Sequence, residues 1–382
     1  MPLGQVQKTN KMTHKIPLFV IYHDNKEIEA VERVIKSGMW SGEGDEVKKL
    51  EKEFADYMGT KYAVAFNSGT STLHSLLLAY GIGIGDEVIT TPFTFIATAN
   101  SVLFVRAKPV FVDIEEETYG IDHNKINKAI TEKTKAIMPI HYGGMGCNIK
   151  EISEIAEDNN LILIEDAAEA LGASINGKKV GTFGDSASFS LCANKNITSG
   201  EGGLITTDSE EVYEKVKLIR SHGRSETNIY DYVLLGYNFR MSNITAAITR
   251  VQLKKVEKVN EMRRENAYYL TKKLSKIEGI ETPKEPQGFS SIFQLYTIRL
   301  RNENVRNKLM KYLFENSIQT KVYFPPVHLT TLYRNLFEYK GGEFPVAEDL
   351  SNRVLSLPMY PALKKEEMDY ITKKIEEFFK CQ

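Results

Sequence analysis

Over its first two thirds the chain alternates short apolar runs with amphipathic stretches of helical period, and this alternation narrows the fold more than any other feature. The apolar runs place strands at 62–67, 87–91, 109–114, 134–141, 161–165, 187–191 and 204–207. Helical periodicity falls at 26–36, 46–57, 72–79, 149–158 and 210–221. Strands that take turns with helices pack as a mainly parallel sheet with helices on both faces. A long stretch rich in Lys, Glu and Arg then reads as one helix over 243–274, stopping near Gly279. Beyond it the pattern changes to strands at 291–299 and 320–324 and helices at 305–315 and 366–379, a smaller α+β unit. A length of 382 residues fits two domains better than one. The expected division is an N-terminal extension at 1–15, a large domain at 16–255 and a small one at 256–382.

Composition excludes several classes of function. Lys and Arg number 49 against 50 Asp and Glu, so no basic excess is available for a nucleic-acid backbone. No apolar run reaches the roughly 18 residues that span a bilayer, and residues 1–15 are polar, without the apolar core of a secretory signal. The three cysteines, Cys147, Cys192 and Cys381, are far apart and make neither a metal spacing nor a disulfide framework. A reducing cytoplasm suits them. The seven histidines are scattered, and no metal site is expected.

Three segments carry chemistry. In the first, Lys195 sits in a loop after a strand, within Cys192-Ala193-Asn194-Lys195-Asn196, just ahead of Gly200-Glu201-Gly202-Gly203. A lysine that condenses with a carbonyl must be held close to it and be free to lose its proton. A surface lysine is the plain alternative. In the second, Leu161-Ile162-Leu163-Ile164 ends in Glu165-Asp166, at the strand end that faces the ligand crevice of an open α/β sheet. An acid there suits a protonated ring nitrogen; alternatively, Asp166 with Glu169 makes a capping box. In the third, Asn67-Ser68-Gly69-Thr70-Ser71 runs from a strand into a helix, where free N–H groups bind phosphate, or where Ser68 merely caps. Gly81-Ile82-Gly83-Ile84-Gly85 imitates a dinucleotide motif but follows a helix and ends on Asp86, so it reads as a turn.

In order along the chain, these segments resemble the DegT/DnrJ/EryC/StrS family, sugar aminotransferases of fold type I. The resemblance runs from about Ile16 onward. It rests on Trp40-Ser41-Gly42, Ser68-Gly69-Thr70, Thr91-Pro92-Phe93-Thr94-Phe95, Glu165-Asp166-Ala167-Ala168, Phe189-Ser190 with Lys195-Asn196, Gly236-Tyr237-Asn238-Phe239-Arg240-Met241-Ser242-Asn243 and Leu355-Ser356-Leu357-Pro358-Met359-Tyr360-Pro361.

The resemblance implies pyridoxal 5'-phosphate as cofactor, Lys195 as its Schiff-base lysine and Asp166 as the partner of its ring nitrogen. It implies Ser68, Gly69, Thr70 and Ser190 around the phosphate and Phe95 on the ring face. Asn238 would reach the phosphate of a neighbouring subunit, which implies a homodimer with shared active sites. Many members carry His or Gln where this chain has Glu169; a carboxylate beside the cofactor's phenolic oxygen would repel it, so Glu169 is expected protonated or turned aside. The run Glu165-Asp166-Ala167-Ala168-Glu169-Ala170 is most similar to the perosamine-synthase subset. That subset implies amination of a nucleotide-linked 4-keto-6-deoxyhexose, with glutamate or glutamine as donor. Lys195 argues against the dehydratase branch, which has His in its place. Lys321, Tyr323 and His328 resemble the segment that faces the sugar, although a strand edge with a surface histidine explains them equally. Other readings stay open: a lyase or desulfurase using Cys192, a non-catalytic regulator of the same fold, or an oxidoreductase.

Overall fold

The computed structural model describes residues 16–225, 228 and 230–380. Residues 1–15 and Cys381 lie outside them. All seven expected strands of the large unit form, as β1 (Tyr62–Phe66), β2 (Glu87–Thr90), β3 (Lys108–Phe111), β4 (Thr134–Ile137), β5 (Ile162–Asp166), β6 (Ser186–Ser190) and β7 (Gly203–Thr207). They build one sheet in the order β1-β7-β6-β5-β4-β2-β3. Only β7 runs against its neighbours. The cause is local. Parallel neighbours are usually joined by a crossover helix, whereas β6 and β7 are joined by the Lys195 loop, residues 191–202, which contains no helix.

Helices cover both faces of the sheet. Among them, α1 (Asn25–Ser37) opens with a capping box between Asp24 and Glu27 and closes on left-handed Gly38. It is followed by α2 (Asp45–Met58), α3 (Gly69–Ala79) and α4 (Ile96–Phe104). Most of α3 is buried, which matches its nearly unbroken small and apolar sequence. Gly81 and Gly85, both at positive φ, shape the turn after it. The family-like stretches at Trp40-Ser41-Gly42 and Met241-Ser242-Asn243 meet: Asn243 donates its backbone N–H to the Trp40 carbonyl, and a Cβ on Gly42 would lie 2.6 Å from the Met241 carbonyl.

Two expectations fail. The stretch at 243–274 is two helices, Asn243–Leu253 and Val256–Leu274, interrupted at Lys254 and Lys255. At the interruption the Lys255 ammonium contacts Glu27 at 2.6 Å and Asp24 at 3.1 Å. Residues 320–324 form no strand. Lys321 makes one bridge to Ser356, and Pro325-Pro326, which lack backbone N–H donors, follow at once. The small sheet is instead β8 (Ile280–Glu281), β9 (Tyr296–Leu300) and β10 (Val354–Leu357), antiparallel throughout and packed on Glu303–Glu315 and Lys365–Lys380.

The two units share a core. Phe93, Ile114, Ile140 and Tyr142 pack with Tyr323, Phe324, Leu350 and Val354, and the Tyr142 hydroxyl donates to the Tyr323 carbonyl at 2.6 Å. Ile16 is completely buried in the core of the smaller unit.

Candidate active site

Three parallel strands, β1, β5 and β6, end on one side of the sheet, and a cavity of about 500 Å³ opens there. The cavity gathers Ser68, Gly69, Thr70, Phe95, Asp166, Glu169, Ser190 and Lys195 with Lys321 and Tyr323. These ten were selected from segments spread over some 250 positions.

Lys195 follows a tight turn in which its backbone N–H donates to the Cys192 carbonyl. Its ammonium lies 3.3 Å from Glu169 Oε1, and both side chains are largely withdrawn from solvent, with 12% and 13% exposure. Glu169 Oε2 accepts the Gly143 N–H at 3.0 Å. Glu169 thus bridges the Gly143 N–H and the Lys195 ammonium. Cys192 also faces the cavity, but its N–H is tied to Ser190 Oγ and its carbonyl to Lys195.

Asp166 is buried at the end of β5, 7% exposed, on the wall of the cavity. Oδ2 accepts from the Thr98 hydroxyl at 2.8 Å and Oδ1 from the Ala168 N–H at 3.2 Å. No helix starts here, so the capping-box alternative fails; residues 168–169 and 171–172 are turns. Burial pushes the Asp166 carboxyl above its ordinary range, against the two hydrogen bonds and the positive charge of Lys195. Among the described residues no cation lies within 4.0 Å of it. A buried acid of this kind is suited to a cationic group brought in from outside.

Its neighbour Glu165 has a different task. It points to the other side of the strand, where it accepts N–H donors from Gly181, Phe183 and Gly184 and pairs with His141 Nε2 at 2.9 Å. These donors hold its carboxyl below the ordinary range despite complete burial. His141 Nδ1 accepts the Cys147 N–H, which leaves the proton on Nε2 to be donated to Glu165.

The anion cup lies at the start of α3. Ser68 Oγ accepts the Ser71 N–H at 3.1 Å. The N–H groups of Gly69 and Thr70 come too early in the helix to have an intrahelical partner. A Cβ on Gly69 would sit 2.9 Å from the Ser190 Cβ, so glycine is what lets the strand end and helix start close around a small space. Phe95, 60% exposed, flanks the cavity and faces Phe324 at 6.3 Å between ring centroids.

One expected residue, His328, is elsewhere, and Asn238, expected to serve a neighbouring subunit, lies outside this chain's own cavity. His328 is completely buried, with Nε2 3.0 Å from Glu348 Oε1 and its ring against Phe344. It does not face the cavity. His328, Glu343 and Glu348 do gather within 4.8 Å, but the carboxylates accept the N–H groups of Lys340, Gly341, Gly342 and Phe344 and clamp that loop. Asn238 is exposed outside the cavity, next to the end of β1, where its carbonyl accepts from Asn67. Conversely, sequence reasoning missed Thr98, His141 and Gly143. The faint signal for Thr98 was its position one helical turn after Thr94, whose hydroxyl it meets at 2.7 Å.

With this geometry stand the similarities to known proteins. The sequence pattern of the DegT/DnrJ/EryC1/StrS aminotransferase family matches residues 22–376. The chain belongs to that family. Within the DegT/DnrJ/EryC1/StrS aminotransferases it is 36% identical to the GDP-perosamine synthase of Escherichia coli O157:H7, over 95% of this chain and 98% of that one. It is 43% identical to the pleiotropic regulatory protein of Geobacillus stearothermophilus, over 88% and 90% of the respective chains. Among solved structures, the PLP form of Spr1654 from Streptococcus pneumoniae superposes with a TM-score of 0.91 at 28% identity, covering 96% of this chain and 99% of that one. Among the described residues, no helix is long and apolar enough to cross a membrane.

Proposed function

We propose that this aminotransferase uses pyridoxal 5'-phosphate to move an amino group from glutamate or glutamine to the ketone of a nucleotide-linked sugar, a 4-keto-6-deoxyhexose. The observation that carries the reading is the convergence of Lys195, Asp166 and the start of α3 on one cavity. The cofactor supplies an aldehyde that exchanges amines and a protonated ring that accepts an electron pair. Every other task falls to side chains. The N–H groups of Gly69 and Thr70, with the hydroxyls of Ser68 and Ser190, hold the phosphate. Asp166 pairs with the ring nitrogen, supplying the charge that its burial leaves unmatched. Phe95 covers a ring face. Lys195 would hold the aldehyde, and its ε-amine, when free, would carry the proton from the donor's Cα. Glu169 keeps the free amine within reach. We place this reaction in the cytoplasm.

We also propose a homodimer with shared active sites. Support comes from Tyr230, Tyr232, Val233 and Leu235, all exposed and apolar, on the loop that leads to Asn238. Asn238→Ala mixed with Lys195→Ala is expected to give hybrid dimers in which one site has both defects and the other neither. Partial recovery of activity, measured on mixtures whose hybrids are shown by mass, checks this. Hybrids that stay inactive would assign Asn238 to its own chain.

At the cavity mouth, the Lys321 ammonium lies 4.9 Å from the centre of the Tyr323 ring. A cation over an aromatic suits a diphosphate next to a sugar. Lys321→Ala is expected to raise the KM for the keto-sugar by roughly tenfold and leave the donor half-reaction unchanged. Equal effects on both half-reactions would remove Lys321 from the sugar site.

The function itself is tested by loading the enzyme with an amino group from glutamate and adding nucleotide-linked keto-sugars one at a time. Return of the aldehyde absorbance with a 4-keto-6-deoxyhexose is the expected result. One relative is named a regulatory protein. A chain that neither takes an amino group from glutamate or glutamine nor passes one to any sugar would favour that role over catalysis.

A further inference from the structure

The segment Ser291-Ile292-Phe293-Gln294-Leu295 carries an unusual concentration of costly features. Phe293 adopts a positive φ of 47°, a region that disfavours residues with a Cβ. Its carbonyl and that of Gln294 accept the guanidinium of Arg263, at 3.1 and 2.7 Å. Arg263 projects from the helix Val256–Leu274 and is only 3% exposed. Among the described residues no carboxylate lies within 4.0 Å of it, so a buried cation is spent on two carbonyl oxygens. Burying a charge without a counter-charge is expensive, and the lysine-rich helix offers many residues that would avoid that cost.

What the segment touches gives the placement a purpose. One arm is the Gln294 side chain, itself 4% exposed, whose Nε2 donates to the Asn194 carbonyl at 2.6 Å. Asn194 immediately precedes Lys195. The other arm is backbone: the N–H groups of Ile292 and Leu295 donate to the carbonyls of Gly144 and Gly143. Gly143 in turn donates to Glu169, the partner of the Lys195 ammonium. A Cβ on Gly144 would lie 2.5 Å from the Gln294 nitrogen, so the contact is as close as glycine permits. The segment thus holds Lys195 from its main chain and, through Glu169, from its amine.

We propose that Gln294, anchored by Arg263, is a positioning residue for Lys195 and sets how fast this lysine captures the cofactor's aldehyde. The inference rests on the cofactor reading above, and the experiment separates the two. The rate of covalent attachment is followed by absorbance after pyridoxal phosphate is added to the empty full-length chain. Affinity for pyridoxamine phosphate, which has no aldehyde, is measured alongside. Gln294→Leu keeps the bulk but removes the donor. It is expected to stay folded, bind pyridoxamine phosphate as the native chain does, and capture the aldehyde roughly tenfold to a hundredfold more slowly, the cost of a misplaced reacting group. Gln294→Glu has a donor only when protonated, so its capture rate relative to Gln294→Leu is expected to rise as the pH falls. Arg263→Met is expected to slow capture in the same direction.

A folded Gln294→Leu that captures aldehyde at the native rate would overturn the proposal. So would a loss of pyridoxamine phosphate affinity as large as the loss of rate, which would show a general disturbance of the pocket. A native chain that forms no covalent link would overturn the cofactor reading itself.

Discussion

Lys195→Ala is expected to bind the cofactor without a covalent link and to lose turnover by roughly 10³-fold or more, because one amine performs two tasks. In the proposed function it would hold the aldehyde at rest and then carry the proton, and positioned proton transfer alone is worth roughly 10²–10⁴-fold. The fold should tolerate the change. Lys195 sits in a loop, its recorded side-chain hydrogen bond is the one to Glu169, and alanine leaves the Cys192 turn intact. Spectra of the loaded variant, with single-turnover rates in both half-reactions, check this. Turnover within a few-fold of native would mean that another amine does the work.

Asp166→Asn is expected to act in opposite directions on the empty and the loaded chain. In the empty chain burial raises the Asp166 pKa. The folded carboxyl then holds its proton more tightly than the unfolded one, so stability falls as the pH rises from about 3.9 through the raised folded value. Asparagine has no such proton to lose. Near neutral pH the empty variant should melt at or above the native temperature, and its stability should fall less with rising pH. In the loaded chain the proposed function pairs the same carboxylate with a cationic ring nitrogen. Removing it should weaken the electron sink and slow both half-reactions by on the order of 10²–10³-fold. Melting curves across pH, with and without cofactor, show the sign. An empty variant less stable than the native chain at every pH would make Asp166 a structural acid.

The sheet was legible because most of its strands carry a short apolar stretch and parallel strands are buried on both faces. β5 illustrates this: Leu163, Ile164, Glu165 and Asp166 are all buried, and its acids fall at the crevice end. The division of labour between those acids was not legible. Glu165 and Asp166 are adjacent in sequence and point to opposite sides of the strand, and only tertiary contacts give one to His141 and the other to Thr98. Local pattern also missed the break at Lys254 and Lys255, where Lys255 pairs with Glu27 and Asp24, more than 200 positions away. His328 was placed by adjacency to Tyr323 and Lys321, but the turn after Pro326 carries it away from the cavity into an aromatic cluster with Phe344 and Tyr339. The partnership of Gln294 and Arg263 left no trace in the sequence, since neither residue lies in a motif and both are bound to backbone carbonyls.

The most direct test of the central assignment is chemical. The native chain is saturated with pyridoxal phosphate, reduced with borohydride to fix any link between amine and aldehyde, digested, and its peptides weighed. A single labelled peptide with the added mass on Lys195 is the expected result. A label on Lys321 or on any other lysine, or a folded chain with no label, would contradict it.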